Sequence, residues 1–113
     1  EVNTSAISNA NINKKLNKVS NIDFKAGDAS CVKNRGFDVV VVDPPRKGLS
    51  KDVINNLVFM RPKKIVYVSC NPNTLKRDIQ ILSDYEVKEI TPLNCFCKTS
   101  HIECVCLLIL KEG

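Results

Sequence analysis

Two apolar runs constrain this chain most. Val39–Val42 is an unbroken series of β-branched residues, and Ile65–Val68 is a second, mostly apolar series. A strand with one face in water alternates apolar and polar residues; a continuous run suits a strand covered on both faces. Each run stops at prolines, Asp43–Pro44–Pro45 after the first and Ser69–Cys70–Asn71–Pro72 after the second. Pro44 and Pro45 forbid further ladder pairing and stiffen the loop through Arg46, Lys47 and Gly48. Pro72 can open a helix, because its missing N–H is one that a first turn leaves unpaired anyway.

Helix patterns fill the intervals. Ser50 or Lys51 opens a helix through about Phe59 with Val53, Ile54, Leu57 and Val58 as its buried face, and Pro62 marks its end. Pro72–Ser83 follows with Leu75, Ile79 and Leu82 on its apolar side. Before these, Ser5–Val19 spaces Ile7, Ala10, Leu16 and Val19 into one stripe of a polar helix, and Asn21–Lys25 is a short strand candidate. Ser30–Gly36, polar and basic, reads as a turn or a frayed helix. Tyr85–Ile90 is a further strand with Pro92 as its stop, and Ile102–Leu110, nearly all apolar, is expected to be the last and longest strand, central rather than edge. This alternation predicts an α/β fold: a three-layer sandwich around an open sheet.

The 113 residues allow one domain with a modest core, and 43% hydrophobic content excludes a disordered chain. A formal charge of +5 only mildly favours a polyanionic partner. No apolar run approaches the ~20 residues of a spanning helix, so no membrane role is expected. Six cysteines in so short a chain would suggest disulfides after secretion, but nothing resembles a signal peptide. A reduced, cytoplasmic setting is the expectation.

Cys70 stands between strand and helix, where open α/β sheets place their chemistry. Helix N–H groups nearby favour a thiolate. A small buried hydrophobe is the plainer reading of such a cysteine, although polar Ser69 and Asn71 flank it. Asp43, at a strand end before a rigid loop, can accept from a ligand amine or simply end the strand. Arg46 and Lys47 suit phosphate, or are solvated loop charges. Gly27–Asp28 is a turn signal that gains interest by ending the strand before that of Asp43. Glu103 is a carboxylate inside an apolar run; it needs a polar site or a donor, and such a placement suits a general base. Cys95, Cys97, Cys104 and Cys106 form two C-x-C pairs, tighter than the usual zinc spacing, so core packing is expected rather than a metal.

Three blocks, in order and spacing, carry a resemblance. They are Asp43–Pro44–Pro45–Arg46–Lys47–Gly48, then Tyr67–Val68–Ser69–Cys70–Asn71–Pro72 with Thr74–Leu75 and Arg77–Asp78 behind it, then Thr99–Ser100–His101–Ile102–Glu103. Together they resemble the S-adenosylmethionine-dependent RNA 5-methyluridine methyltransferases, which modify uridines in transfer RNA or large-subunit ribosomal RNA. Asn9–Ala10, Asn13, Asn17, Asn21, Phe24 and Gly27–Asp28–Ala29 extend the likeness over essentially the whole chain. The resemblance implies a Rossmann-like methyltransferase sheet, truncated at its N-terminus. It implies Cys70 as nucleophile, Glu103 as general base, and Asp43 as an acid at the mouth shared by cofactor and target base. Glu1 falls on the family's ribose-binding acid, and Asp28 on the acid near the adenine. Arg46, Asn71 and His101 join Asp43 as expected substrate contacts.

The implied cofactor is S-adenosylmethionine and the implied partner RNA, with 23S ribosomal RNA expected first and transfer RNA second. Other readings are a methyltransferase acting on an RNA cytosine or exocyclic amine, and a non-catalytic domain that binds a partner or zinc. The family's usual Asp-Met-Phe-Pro is here Asn94–Cys95–Phe96–Cys97. No Gly-rich loop precedes Glu1, so the chain reads as the C-terminal part of a catalytic domain, without the family's RNA-binding domain. A strand missing between Asn21–Lys25 and Phe37–Asp43 would leave the latter edge bare, and two copies are expected to pair there.

Overall fold

The computed structural model of the chain describes residues 1–93 and 103–112. They form two compact units, Glu1–Val32 and Lys33–Gly113.

In the first unit, helix α1 spans Thr4–Leu16. Asn3 caps it, its side-chain oxygen accepting from the N–H groups of Ser5 and Ala6 at 2.9 and 3.1 Å. Lys14 and Lys15 in the last turn suit the negative end of the helix dipole. The helix stops three residues short of the expected Val19. Asn17 Nδ2 bonds back to the Asn13 carbonyl at 2.9 Å and Lys18 turns left-handed. No residue of α1 is buried. Asn21–Lys25 forms no strand. A strand requires a hydrogen-bonding neighbour, and every described strand lies beyond residue 38. A short 3-10 turn at Ala29–Cys31, capped by Asp28, closes the unit.

The second unit carries an open, mixed sheet interleaved with helices. Its elements are β1 (Val39–Val42), α2 (Lys51–Met60), β2 (Lys64–Ser69), α3 (Pro72–Ile81), β3 (Tyr85–Leu93) and β4 (Glu103–Leu110). The strand order is β1-β2-β4-β3. β1 and β2 run parallel, with Val42 opposite Tyr67, while β4 is antiparallel to both β2 and β3. The apolar β4 is thus an inner strand, as expected, although β3 is one residue longer. β3 continues through Pro92, which pairs with Cys104. An edge strand tolerates a proline because the missing N–H need not face a neighbour.

One face of the sheet carries the core. Ile65, Tyr67, Cys106 and Leu108 are fully buried there with Leu57 of α2 and Leu75 of α3. Each such Leu or Ile contributes about 1.5–3 kcal/mol relative to leaving it exposed. Helix α2 buries Ile54, Leu57 and Met60, so Val58 falls outside the stripe and is 42% exposed, contrary to expectation. Ser50 caps α2, and Arg61 ends it in a left-handed conformation before buried Pro62.

Candidate active site

Parallel pairing of β1 with β2 brings their carboxyl ends together, so Asp43 and Cys70 leave the sheet on the same side. Antiparallel pairing does the same for Glu103. The β2–β4 ladder ends with Ser69 opposite Cys104. The next residue of one chain is Cys70, and the preceding residue of the other is Glu103, which opens β4. Neighbouring strands lie about 4.8 Å apart. Asp43, Cys70 and Glu103 therefore come from three consecutive strands at one end of the sheet. Cys70 and Glu103 are half-buried, and Asp43 is exposed.

The loops that carry Asp43 and Cys70 are laced to each other. Asn71 caps α3, its Oδ1 accepting from Asn73 N–H at 3.0 Å, while its Nδ2 donates to the Arg46 carbonyl at 3.0 Å. Thr74 Oγ1 donates to the same carbonyl, also at 3.0 Å. Ser69 Oγ accepts from Asn71 N–H at 3.1 Å and donates to the Asn71 carbonyl at 2.9 Å, pinning the backbone on both sides of Cys70. Both ends of the Asn71 amide are engaged within the protein, which makes it a positioning residue for the two loops. Pro72 has no N–H and that of Asn73 is capped, so the first turn of α3 offers fewer donors to Cys70 than the sequence suggested.

Beneath this lacing lies a buried carboxylate. Asp78 is fully buried. Its Oδ2 accepts from Tyr67 Oη at 2.6 Å and from Leu49 N–H at 2.9 Å. Its Oδ1 accepts from Arg77 Nε and Nη2 at 3.1 and 2.9 Å. Arg77 Nη2 reaches on to the Lys47 carbonyl at 2.8 Å. The Asp-Pro-Pro loop is thus clamped onto α3 through charge-assisted hydrogen bonds. Burial first, and then the Asp78 hydrogen bond and charge, push the Tyr67 hydroxyl well above the ordinary tyrosine range. Sequence reasoning gave Asp78, Tyr67 and Thr74 no role. An adjacent Arg–Asp pair on a helix reads as solvated charge, and only the position of Asp78 beside the apolar stripe could have signalled burial.

The other expected site residues divide by unit. In the first, the Glu1 carbonyl accepts from Gly27 N–H at 2.9 Å, which sets Glu1 beside the Gly27–Asp28 turn. The Asp28 carboxylate accepts from Ser30 N–H at 2.9 Å and from its hydroxyl. In the second unit, Arg46 is exposed and its carbonyl anchors the loop. His101, Cys95 and Cys97 lie outside the described residues. Cys106 is fully buried in the core, and burial pushes both its thiol and that of Cys104 up. Among the described residues, no group of three or more His, Cys, Asp or Glu side chains is placed to hold a metal ion. No described helix is long and apolar enough to cross a membrane.

An open, mixed sheet with helices between its strands, and a polar mouth gathered at one end, defines a Rossmann-like α/β protein. Residues 28–111 match the family described as tRNA (Uracil-5-)-methyltransferase, and the chain belongs to that family. It is 46% identical to an uncharacterized RNA methyltransferase of Oceanobacillus iheyensis, over 98% of this chain and 26% of the relative. A counterpart in Enterococcus faecalis is 50% identical over 96% of this chain and 25% of the relative. Among solved structures, the tRNA (uracil-54, C5)-methyltransferase of Pyrococcus abyssi in complex with S-adenosyl-L-homocysteine superposes with a TM-score of 0.87. It is 41% identical, over 96% of this chain and 27% of that one. The chain spans about a quarter of the length of these relatives.

Proposed function

We propose that the chain is the C-terminal, thiol-bearing part of an S-adenosylmethionine-dependent methyltransferase that acts on C5 of a uridine in RNA. The observation that carries this is the convergence of Cys70 and Glu103 at one end of neighbouring strands, in a chain of this family. The RNA we favour is a transfer RNA. Both the family description and the Pyrococcus abyssi relative name transfer RNA, which reverses the order of preference taken from sequence.

The residues present fit the cofactor's chemistry. In the first unit, Glu1 stands beside the Gly27–Asp28 turn, and Glu1 and Asp28 carry carboxylates of the kind that bind ribose hydroxyls and an adenine amine; in the second, Asp43 carries a carboxylate at the end of the strand next to that of Cys70. Bound S-adenosylmethionine supplies an electrophilic methyl group on a sulfonium. Uracil C5 is too poor a nucleophile to take that methyl unaided. The Cys70 thiolate bonds to C6, and the C5–C6 π pair moves toward the C4 carbonyl, leaving C5 an enolate-like carbon able to accept the methyl. Glu103 then removes the C5 proton, the freed pair re-forms the C5–C6 double bond, and the C6–S bond breaks to return the thiolate. Ser69, Asn71 and Thr74 hold the Cys70 loop. Arg46 and His101 remain proposed contacts to the RNA. Cys70 must be reduced to act, which fits a cytoplasmic setting.

In the intact enzyme, Cys70→Ala is expected to abolish methyl transfer to a transfer RNA transcript while S-adenosylmethionine still binds. Glu103→Gln is expected to let Cys70 add but to stall proton removal, so that a protein–RNA adduct accumulates. Wild-type turnover in Cys70→Ala would overturn the assignment, and an unchanged rate in Glu103→Gln would make that carboxylate structural.

For the chain by itself we further propose pairing of two copies through β1. That strand hydrogen-bonds to β2 alone among the described strands, with Val39 49% and Val41 64% exposed.

A further inference from the structure

A cleft of about 560 Å³ opens between the end of the Asp-Pro-Pro loop, the start of α2 and residues Arg77 and Ile81 of α3. Leu49, Ile54 and Ile81 give it apolar walls, and Lys47, Lys51 and Arg77 contribute three cationic side chains. No carboxylate is among the described residues that line it. Asp78 is fully buried and already accepts from Arg77, Tyr67 and Leu49, while Asp52 follows Lys51 in the first turn of α2. The Arg77 guanidinium is fixed by those bonds and by the Lys47 carbonyl, yet its side chain is 51% exposed. The two lysines are exposed as well. Lys47, Lys51 and Arg77, the last fixed by its pair with Asp78, line one concave surface, and their charge complements a polyanion.

We infer that this cleft binds the phosphate backbone of the RNA strand that flanks the target uridine. The inference rests on RNA being the substrate. Continuity with the site supports a strand rather than a separate small anion. The loop that carries Asp43 passes from the mouth, where the Arg46 carbonyl is tied to Asn71 and Thr74, into the cleft at Lys47 with no intervening residue. The described residues that line the cleft are cationic, polar and aliphatic, which suits phosphate contact rather than the aromatic base stacking of single-strand binders. The contact positions the strand without reading its sequence.

The test measures binding of the chain to a labelled oligouridylate of about 12 nucleotides, for the wild type and for Lys47→Gln, Lys51→Gln and the double variant. Each lost single-strand phosphate contact removes about 0.7 from the salt slope, which at about 0.1 M salt is roughly a fivefold loss of affinity. The double variant is expected to bind about 25-fold more weakly, with a salt slope shallower by about 1.4. Uridine monophosphate and inorganic phosphate are expected to compete poorly. Photocrosslinking of 4-thiouridine oligonucleotide, followed by peptide mapping, is expected to label the Lys47–Lys51 segment. Wild-type affinity in the double variant, with crosslinks elsewhere, would overturn the cleft while leaving the RNA reading intact. Absence of oligonucleotide binding by the wild-type chain would overturn the cleft, whereas the RNA reading stands or falls with methyl transfer to RNA by the intact enzyme. Equal competition by free phosphate would overturn the strand in favour of a small anion.

Discussion

Replacing Gly48 with alanine probes the clamp between the Asp-Pro-Pro loop and α3. Gly48 is buried and has φ +81°, a left-handed conformation that costs an L-residue roughly 1–2 kcal/mol. A Cβ there would lie 2.6 Å from Arg77 Nη2, 2.7 Å from Asp78 Oδ2 and 3.0 Å from Thr74 Cβ. Asp78 is fully buried and cannot retreat into solvent. Either Arg77 gives up the Lys47 and Asp78 contacts, or the loop lifts and the Leu49 N–H bond to Asp78 is lost. Loss of one hydrogen bond to a charged group costs about 1.5–3 kcal/mol. With the backbone term, Gly48→Ala is expected to destabilise the chain by roughly 2.5–5 kcal/mol. Urea unfolding followed by circular dichroism reads this as a lower midpoint at unchanged slope. In the intact enzyme, turnover is expected to fall as well, because the same clamp holds the loop of Asp43 against that of Cys70. A midpoint shift worth less than about 0.5 kcal/mol, the range of an ordinary surface substitution, would refute the clamp.

Alkaline pH is expected to unfold the chain through its only two tyrosines. Tyr67 donates to Asp78 and Tyr85 to the Pro62 carbonyl, each at 2.6 Å, and burial raises both hydroxyls above their ordinary value. The folded state favours the neutral phenol, so this contribution is complete below about pH 10, the unfolded value, and is lost as pH climbs beyond it. Ultraviolet difference spectra should show tyrosine ionisation coinciding with unfolding; titration near the ordinary value in a folded chain would contradict it. Sedimentation across a concentration range should show dimers of the chain, and Val41→Lys on the β1 edge should return it to monomer. A chain that is monomeric throughout would refute pairing at β1.

Much of the second unit was legible because its signals are local. Val39–Val42 and the Ile65 run announce strands by β-branching, and Pro72 announces α3 by its place at the first helical position. Other features depended on partners that a linear reading does not supply. Asn21–Lys25 has strand-like residues but no ladder to join. β3 runs through Pro92 because it lies at an edge, which is a property of the sheet rather than of the proline. The site behaves likewise. Cys70 and Asp43 were visible as polar residues at the ends of apolar runs. Glu103 was visible as a carboxylate out of place, and its nearness to Cys70 follows from an antiparallel register that joins residues 33 positions apart. Asp78 was hidden because two of its partners, Leu49 and Tyr67, come from other stretches of chain.

The central claim is that the Cys70 sulfur adds to C6 of a uridine. The direct measurement incubates the intact enzyme with S-adenosylmethionine and a transfer RNA transcript containing 5-fluorouridine. Fluorine at C5 leaves no proton for Glu103 to remove, so elimination is blocked after addition. A covalent complex should form, survive denaturation and, after digestion and mass spectrometry, map to Cys70. An adduct on a different residue, or methylation of ordinary transfer RNA by an enzyme that forms no adduct with the fluorinated one, would contradict it.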